Sequence, residues 1–151
     1  MIRPARVDEA RLLSELALRS KAYWGYSQEF IEQCREELSY SEEQLHAEHM
    51  RFFVIESARR VAGFYALKRL SATEIELEAM FVEPASIGQG FGRLLIDHPK
   101  SVASAMGAKR LVIQSDPYAE HFYVAAGGVV IGTRESASIP GRFLPTLAIT
   151  V

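Results

Sequence analysis

A glycine-rich segment between a predicted strand and a predicted amphipathic helix carries the clearest chemical signal in the sequence. It reads Ile87-Gly88-Gln89-Gly90-Phe91-Gly92-Arg93. Glycines let a backbone approach a ligand closely and direct several N–H groups toward it. A helix start adds unpaired donors and the positive end of the helix dipole. The segment therefore suits a phosphate or pyrophosphate group, or else its glycines only allow the strand and the helix to pack tightly.

Two common phosphate-binding motifs do not fit this segment. A Walker loop requires Gly-Lys-Ser/Thr after a four-residue gap, and the sequence has none here. A dinucleotide-binding fingerprint requires a third glycine where Arg93 stands. That fold would also begin with strand, helix and strand, whereas three helical stretches precede the core strands predicted here.

The sequence around these glycines resembles the acetyl-CoA-binding motif of the GNAT superfamily of acyl-CoA-dependent N-acyltransferases. In that motif a strand ending in Val and Pro is followed by Arg/Gln-x-x-Gly-x-Gly/Ala and a helix. The matching residues are Met80-Phe81-Val82-Glu83-Pro84, then Ile87 to Gly92, then Arg93-Leu94-Leu95. A second signature, Asn-x-x-Ala-x-x-Phe-Tyr-x-x-x-Gly, matches the segment from Asp116 to Gly127, with Asp116 in the asparagine place.

The resemblance implies that acetyl-CoA is the cosubstrate and that no metal is required. It also implies that a backbone N–H near Met80 or Phe81 polarises the thioester, and that the pantetheine arm pairs with this strand. The sequence departs from the pattern at Ile87, where the family has Arg or Gln, and at Pro99, which we expect to kink or break the following helix. The residues expected to bind acetyl-CoA are Met80, Phe81, Val82, Ile87, Gly88, Gln89, Gly90, Phe91, Gly92, Arg93, Asp116, Ala119 and Phe122.

Acetyl transfer to an amine needs a neutral nitrogen and a group that protonates the departing thiolate. The resemblance implies that Tyr123 lies near the CoA sulfur, and a phenol with a reference pKa near ~10 can donate a proton at neutral pH. Glu76 and Glu78 lie two residues apart on the strand that leads to the glycines, so alternation places both on one face. Either could accept the amine proton, and Glu76 matches the spacing of histone-type relatives. The alternatives are a packing tyrosine and a solvent-facing pair of glutamates.

The acceptor side of the site is predicted from the N-terminal helices and the C-terminal loop. An aromatic cluster that includes Trp24 and Tyr26 is suited to surround a small organic amine, or it packs the elbow between two helices. Arg142 lies in a turn-rich connection over residues 136–145. It could bind a substrate carboxylate or cofactor phosphates, or it could brace the loop.

Composition limits the remaining possibilities. The 151 residues suit one domain, and a net charge of -2 does not favour nucleic acid or an anionic membrane as a partner. No apolar run approaches the ~18 residues of a membrane span, and no signal peptide is recognised, so we expect a cytoplasmic protein. His46 and His49 alone make a weak metal site, and Cys34 fits a buried apolar position. Members of the superfamily often pair through sheet edges, which is compatible with a homodimer.

The predicted fold is a single α/β domain over residues 1–151. Its element order is β-α-α-β-β-β-α-β-α-β-β, with a third short helix starting at Ser41, and it forms a GNAT-like mixed, mostly antiparallel central sheet with helices on both faces. Asp8 is expected to cap the first helix, the second helix is expected over residues 28–38, and the last strand over residues 146–151. The predicted function is transfer of an acetyl group from acetyl-CoA to a primary amine of a small molecule or peptide by direct attack. The alternatives are a non-catalytic acyl-CoA-binding or sensing module and a nucleotide-binding protein.

Overall fold

The computed structural model describes every residue from 1 to 151. The seven strands are β1 Ile2–Pro4, β2 Met50–Ser57, β3 Arg60–Arg69, β4 Glu74–Val82, β5 Arg110–Gln114, β6 Val129–Glu135 and β7 Phe143–Thr150. The five α-helices are α1 Ala10–Ala22, α2 Gln28–Cys34, α3 Glu42–His46, α4 Phe91–Ala105 and α5 Glu120–Ala125. None of the helices is both long and apolar enough to cross a bilayer.

The strands form one sheet in the order β1-β2-β3-β4-β5-β7-β6. Neighbouring strands are antiparallel except for β4 and β5, which are parallel and are joined by the crossover helix α4. The prediction of a mixed, mostly antiparallel sheet is therefore confirmed. A parallel pair needs such a crossover because a tight hairpin can join only antiparallel strands.

Each face of the sheet is covered by helices around its own apolar core. One core contains Leu95 and Ile96 of α4 together with Tyr123 of α5. The other contains Leu13 and Leu16 of α1, and Leu45 of α3 packs against it. The prediction of helices on both faces is confirmed.

Strand β4 separates from β5 halfway along its length. The two strands pair only from Glu74 with Arg110 to Leu77 with Ile113, although β4 continues to Val82. Glu78 is the extra residue of a β-bulge between β4 and β3 at this point. A bulge bends its strand and increases the local twist. On the side facing β5, the backbone N–H and C=O groups of the second half of β4 are therefore not paired with another strand.

Two local predictions are wrong at helix ends. Asp8 was expected to cap the first helix, but it lies in a 3₁₀ turn, and α1 begins at Ala10. The buried Glu9 carboxylate accepts from the Arg6 N–H at 2.7 Å, at the start of that 3₁₀ turn, and pairs with Arg3, whereas α1 itself has no side-chain cap. The second helix was expected to extend to residue 38 but ends at Cys34.

Two further boundaries differ from the sequence prediction. Helix α4 is continuous through Pro99, so the expected break does not occur. Pro99 is buried in the core, and the next residue, Lys100, ties α4 to α5 by donating to the carbonyl of Ala126 at 2.8 Å. The last strand begins at Phe143 instead of residue 146, because Phe143 pairs with Glu135 of β6. The connecting loop therefore covers only residues 136–142.

Candidate active site

The glycine turn has an open backbone conformation that few other residues adopt. Gly88 and Gly90 have φ values of +89° and +84°, in the left-handed region that favours glycine. A β-carbon at either position would meet no other atom within 4 Å. Glycine is therefore favoured at these two positions by the backbone conformation and not by lack of space, and the backbone of the turn is accessible.

Five backbone N–H groups in and just after this turn have no hydrogen-bond acceptor within the protein. They are the N–H groups of Gly88, Gly90, Phe91, Gly92 and Arg93. The N–H of Gln89 is used in the turn itself, since it donates to the Ser86 carbonyl at 3.3 Å. These free donors converge on the N-terminus of α4, where the helix dipole also favours a negative charge. The arrangement is suited to an anion with several oxygen atoms.

The side chains of the turn do not close it. Ile87, Gln89 and Arg93 are exposed, and Arg93 forms only a long ion pair with Asp97, at 3.7 Å. Phe122 of α5 lies on the inner side of the turn, since a β-carbon on Gly92 would be 3.4 Å from its ring. The structure thus brings the two sequence motifs together.

The free edge of β4 leads from the bulge to this turn. Met80 and Val82 pack against the core beneath α4, whereas Phe81 points to the opposite face, where its ring lies 5.7 Å from that of Phe64. On the edge that faces away from β3, no strand pairs with β4 beyond Leu77. An extended ligand could add to this edge by main-chain hydrogen bonds.

Tyr123 is buried beside this opening, with 7% of its surface exposed. Burial, and then the charge of Asp116, raise the pKa of its phenol above the ordinary value. The hydroxyl forms no hydrogen bond within the protein, and its oxygen atom retains a small solvent-accessible surface. Tyr123 is therefore protonated at neutral pH, and its hydroxyl is available to a ligand. Ala119, one turn earlier, packs against the same core.

The two glutamates of β4 have different surroundings. Glu76 is 9% exposed and accepts from Arg134 of β6 at 3.0 Å. Glu78 has no hydrogen-bonded partner, and the residue is exposed to solvent. Its carboxyl nevertheless lies among enough protein atoms that burial, followed by the charge of Glu76, raises its pKa. Glu76 is thus held as an ion pair, and Glu78 is the free carboxyl.

The aromatic cluster expected at the acceptor side is present, and its members form two stacks that meet edge to face, with the Tyr26 and Tyr118 ring centroids 5.5 Å apart. Trp24 stacks on Tyr118 with ring centroids 5.4 Å apart and planes 5° apart, and both rings are exposed. Tyr26 stacks on Phe30 at 4.1 Å and is less accessible. Trp24 and Tyr118 therefore offer an exposed aromatic surface, whereas Tyr26 belongs to the supporting structure.

Asp116 and Arg142 contact each other and the segment between α1 and α2. The Asp116 carboxylate accepts from Lys21 at 2.6 Å and from the Tyr26 hydroxyl at 2.9 Å. Arg142 donates to the Tyr26 hydroxyl at 2.8 Å and approaches Asp116 at 3.5 Å. Although burial disfavours the charge, donation from Lys21 lowers the pKa of Asp116 below its ordinary value.

Several residues of the site carry no clear signal in the sequence. Lys21 lies within the aromatic segment, and Tyr118 lies within the second motif, so both were near recognised features. Arg134 had no such signal, because its partner Glu76 is distant in sequence and is reached only through the sheet. No group of three or more His, Cys, Asp or Glu side chains in the chain is placed to hold a metal ion.

Comparisons with known proteins identify the family. A family model described as "Acetyltransferase (GNAT) domain" matches residues 11–138. Among solved structures, a GCN5-related N-acetyltransferase from Rhodopseudomonas palustris aligns with a TM-score of 0.82 at 22% identity, covering 100% of this chain and 95% of that one. The PaiA N-acetyltransferase from Thermoplasma acidophilum in complex with coenzyme A gives 0.82 at 19% identity, with 100% and 98% covered.

A GNAT family acetyltransferase from Elizabethkingia anophelis with acetyl-CoA bound gives a TM-score of 0.72 at 17% identity, with 100% of this chain and 97% of that chain covered. No curated protein matches the sequence. Identities this low support the shared fold, while the family model supports the assignment itself. The chain belongs to the GNAT family of acetyltransferases.

Proposed function

We propose that this protein is a single-domain N-acetyltransferase that transfers the acetyl group of acetyl-CoA to a primary amine of a small molecule or peptide by direct attack. The observation that supports this most strongly is the set of five free N–H donors, from Gly88 to Arg93, at the end of the unpaired edge of β4. Family membership supports acetyl transfer in general, and the residues around this edge support an amine as the acceptor.

The glycine turn would hold the pyrophosphate of acetyl-CoA. Its five N–H groups and the dipole of the 15-residue helix α4 favour a doubly charged anion at this point. The free edge of β4, at Met80, Phe81 and Val82, would pair with the extended pantetheine arm. Phe122 would pack against the arm where it enters, since its ring adjoins Gly92. Bound acetyl-CoA would supply the reactive thioester.

Glu78 is the side chain best placed to accept a proton from the amine. A protonated amine cannot attack a carbonyl, so a nearby carboxylate must take up its proton directly or through water. Glu78 is free of partners and has a raised pKa, which makes it a stronger base than an ordinary glutamate. Glu76 is already paired with Arg134, so its role is to hold β6 and to raise the pKa of Glu78.

Tyr123 would donate a proton to the departing sulfur. Its phenol is protonated at neutral pH, and its hydroxyl has no competing partner within the protein. A backbone N–H on the free part of β4, near Met80 or Phe81, would stabilise the developing negative charge on the carbonyl oxygen. These three groups supply each proton transfer and charge that direct transfer requires.

The acceptor would enter on the face of the sheet that carries α1 and α2. The aromatic surface of Trp24 and Tyr118 can contact the apolar or cationic body of an amine. The cations Lys21 and Arg142 are both engaged with Asp116, whereas the carboxylates of Glu78 and Glu37 form no ion pair. The side chains thus favour a cationic amine over an acidic substrate.

A turnover assay with a small panel of amines tests this proposal. Acetyl-CoA is incubated with the protein and putrescine, kanamycin or a short peptide that begins with alanine. Thiol release is followed, and mass spectrometry identifies any product that gains an acetyl group. We expect acetylation of at least one amine. Binding of acetyl-CoA with no turnover on any of these amines would contradict the assignment as an N-acetyltransferase for these classes.

A further inference from the structure

Asp116 is the centre of a group of charged and aromatic side chains that we call the Asp116 cluster. Its members are Lys21, Tyr26, Asp116 and Arg142. Both Asp116 oxygens accept from the Tyr26 hydroxyl, at 3.0 and 2.9 Å, and one of them also accepts from Lys21 at 2.6 Å. Arg142 donates to the Tyr26 hydroxyl and completes the cluster.

The cluster is shielded from solvent and rests on an aromatic base. The side chains of Lys21, Asp116 and Arg142 are only 15%, 17% and 19% exposed. The Phe30 ring lies beneath both cations, with its centroid 4.8 Å from the Arg142 guanidinium and 5.9 Å from the Lys21 ammonium. Partly buried ion pairs with additional hydrogen bonds are screened less than surface pairs, so removing one partner is costly.

The four residues come from three segments that are distant in sequence. Lys21 and Tyr26 belong to the end of α1 and the connection to α2, and Arg142 belongs to the loop over residues 136–142. Asp116 follows β5 directly and caps the turn that leads into α5, since its carboxylate accepts from the Tyr118 N–H at 2.9 Å. The cluster therefore joins both walls of the proposed acceptor side to the segment that carries Tyr123.

We infer that Asp116 is a positioning residue, which holds the acceptor wall against the segment that carries Tyr123 and does not contact acetyl-CoA. This inference rests on the proposed function. The resemblance to the family implied contact with acetyl-CoA at this position, but each carboxylate oxygen is already engaged by protein donors. The Asp116 charge also contributes to the raised pKa of Tyr123. Loss of the charge is expected to affect the amine side and to leave acetyl-CoA binding intact.

The single tryptophan provides a direct readout of the cluster. Trp24 stacks on Tyr118, and the Tyr118 N–H donates to Asp116. We expect Asp116→Asn to increase acrylamide quenching of Trp24 and to raise the KM for the best panel amine about tenfold, since an engaged partner is lost. The Kd for acetyl-CoA, measured by calorimetry, should change by less than about twofold.

Two further variants keep the test decisive. Arg142→Gln should reproduce the rise in KM, and the double variant should be less impaired than the two single effects combined, because both residues act through one cluster. Arg35→Gln, which removes an exposed ion pair with Glu32 on α2, should change none of these values. Circular dichroism checks that each variant is folded.

Other outcomes would overturn the inference. If Asp116→Asn weakens acetyl-CoA binding about tenfold or more and leaves the quenching of Trp24 unchanged, Asp116 contacts the cosubstrate instead. If the two single effects combine additively, the residues do not act as a cluster. Failure of the proposed function would look different, because the wild-type protein itself would then bind no acetyl-CoA or would acetylate none of the panel amines.

Discussion

Replacement of Tyr123 by phenylalanine separates catalysis from stability. The ring of Tyr123 is buried in the core, and phenylalanine preserves that packing. The hydroxyl has no hydrogen-bond partner within the protein, so its removal leaves no other protein group unsatisfied. We therefore expect a change of less than about 1 kcal/mol in the free energy of unfolding. Loss of a general acid should lower kcat about 10²- to 10⁴-fold, which corresponds to about 3–5 kcal/mol in the activation free energy.

Tyr65 offers the matched control, because its hydroxyl has the opposite role. Tyr65 is fully buried on β3, and its hydroxyl is hydrogen bonded to Nδ1 of His98 on α4 at 2.6 Å. Tyr65→Phe leaves that nitrogen without its partner, at a cost of about 1–3 kcal/mol in unfolding free energy. Its kcat should remain close to that of the wild type, since the Tyr65 hydroxyl is bonded to His98 and has no assigned role in the reaction.

The assay is urea unfolding together with acetyl-CoA turnover on the best panel amine, for the wild type and both variants. The expected result is a crossover, in which Tyr123→Phe loses activity and retains stability, whereas Tyr65→Phe does the reverse. A Tyr123→Phe protein with unchanged kcat would refute the assignment of Tyr123 as the acid. Strong destabilisation of that variant would show that the Tyr123 hydroxyl has a partner in the folded protein.

The remaining predictions concern the glutamates and one buried glycine. Glu78→Gln should lower kcat/KM for the amine about 10²-fold and remove the acidic limb of its pH profile. In the wild type, activity should fall as the pH drops through the raised pKa of Glu78, which lies above the usual glutamate value of ~4.3. An acidic limb that persists in the Glu78→Gln variant would exclude Glu78 as the base. Glu76→Gln should lower stability by less than about 1 kcal/mol, since its partner is half exposed, and should affect kcat/KM less than Glu78→Gln does. Gly63→Ala should destabilise by about 1–3 kcal/mol in urea unfolding, because the new β-carbon would lie 2.8 Å from the Phe81 carbonyl oxygen, which cannot move aside, and equally close to Leu95 Cδ1. Gly132→Ala, which meets no atom within 4 Å, should be nearly neutral, and equal effects of the two substitutions would contradict the steric argument.

The order and faces of the elements follow from local patterns in the sequence. The helical spacing of Leu12, Leu13, Leu16 and Ala17 on α1 predicts a face toward the core; the last three are buried there, whereas Leu12 is exposed. The glycines at 88 and 90 predict a turn before α4, and both have positive φ values. Such features depend on a few neighbouring residues, so the sequence carries them directly.

Features that depend on tertiary contacts were not predictable in this way. Helix α4 remains continuous through Pro99, although proline disfavours the interior of an isolated helix, and Pro99 is buried in the core. The cap predicted at Asp8 does not form, because Asp8 lies in a 3₁₀ turn before α1, where the neighbouring Glu9 bonds the Arg6 N–H and pairs with Arg3 of β1. Both outcomes depend on the surroundings of the residue in the folded chain.

The candidate site shows the same division. The glycine turn and Tyr123 lie in contiguous motifs that could be recognised from the sequence. The difference between Glu76 and Glu78 could not, because it depends on a bulge and on Arg134 from another strand. The Asp116 cluster joins residues 21, 26, 116 and 142, which only the folded chain brings together.

Calorimetric titration with acetyl-CoA, comparing the wild type with Gly90→Glu and Gly107→Glu, tests the central claim most directly. Gly90 and Gly107 lie at opposite ends of α4, with φ values of +84° and +86° and open space around both. Each substitution thus imposes similar backbone strain, of about 1–2 kcal/mol, but only Gly90→Glu places a carboxylate at the proposed pyrophosphate site. We predict that the wild type and Gly107→Glu bind acetyl-CoA, and that Gly90→Glu loses about two orders of magnitude in affinity, equivalent to about 2.7 kcal/mol. Equal affinities for all three proteins, or no binding by the wild type, would contradict the account.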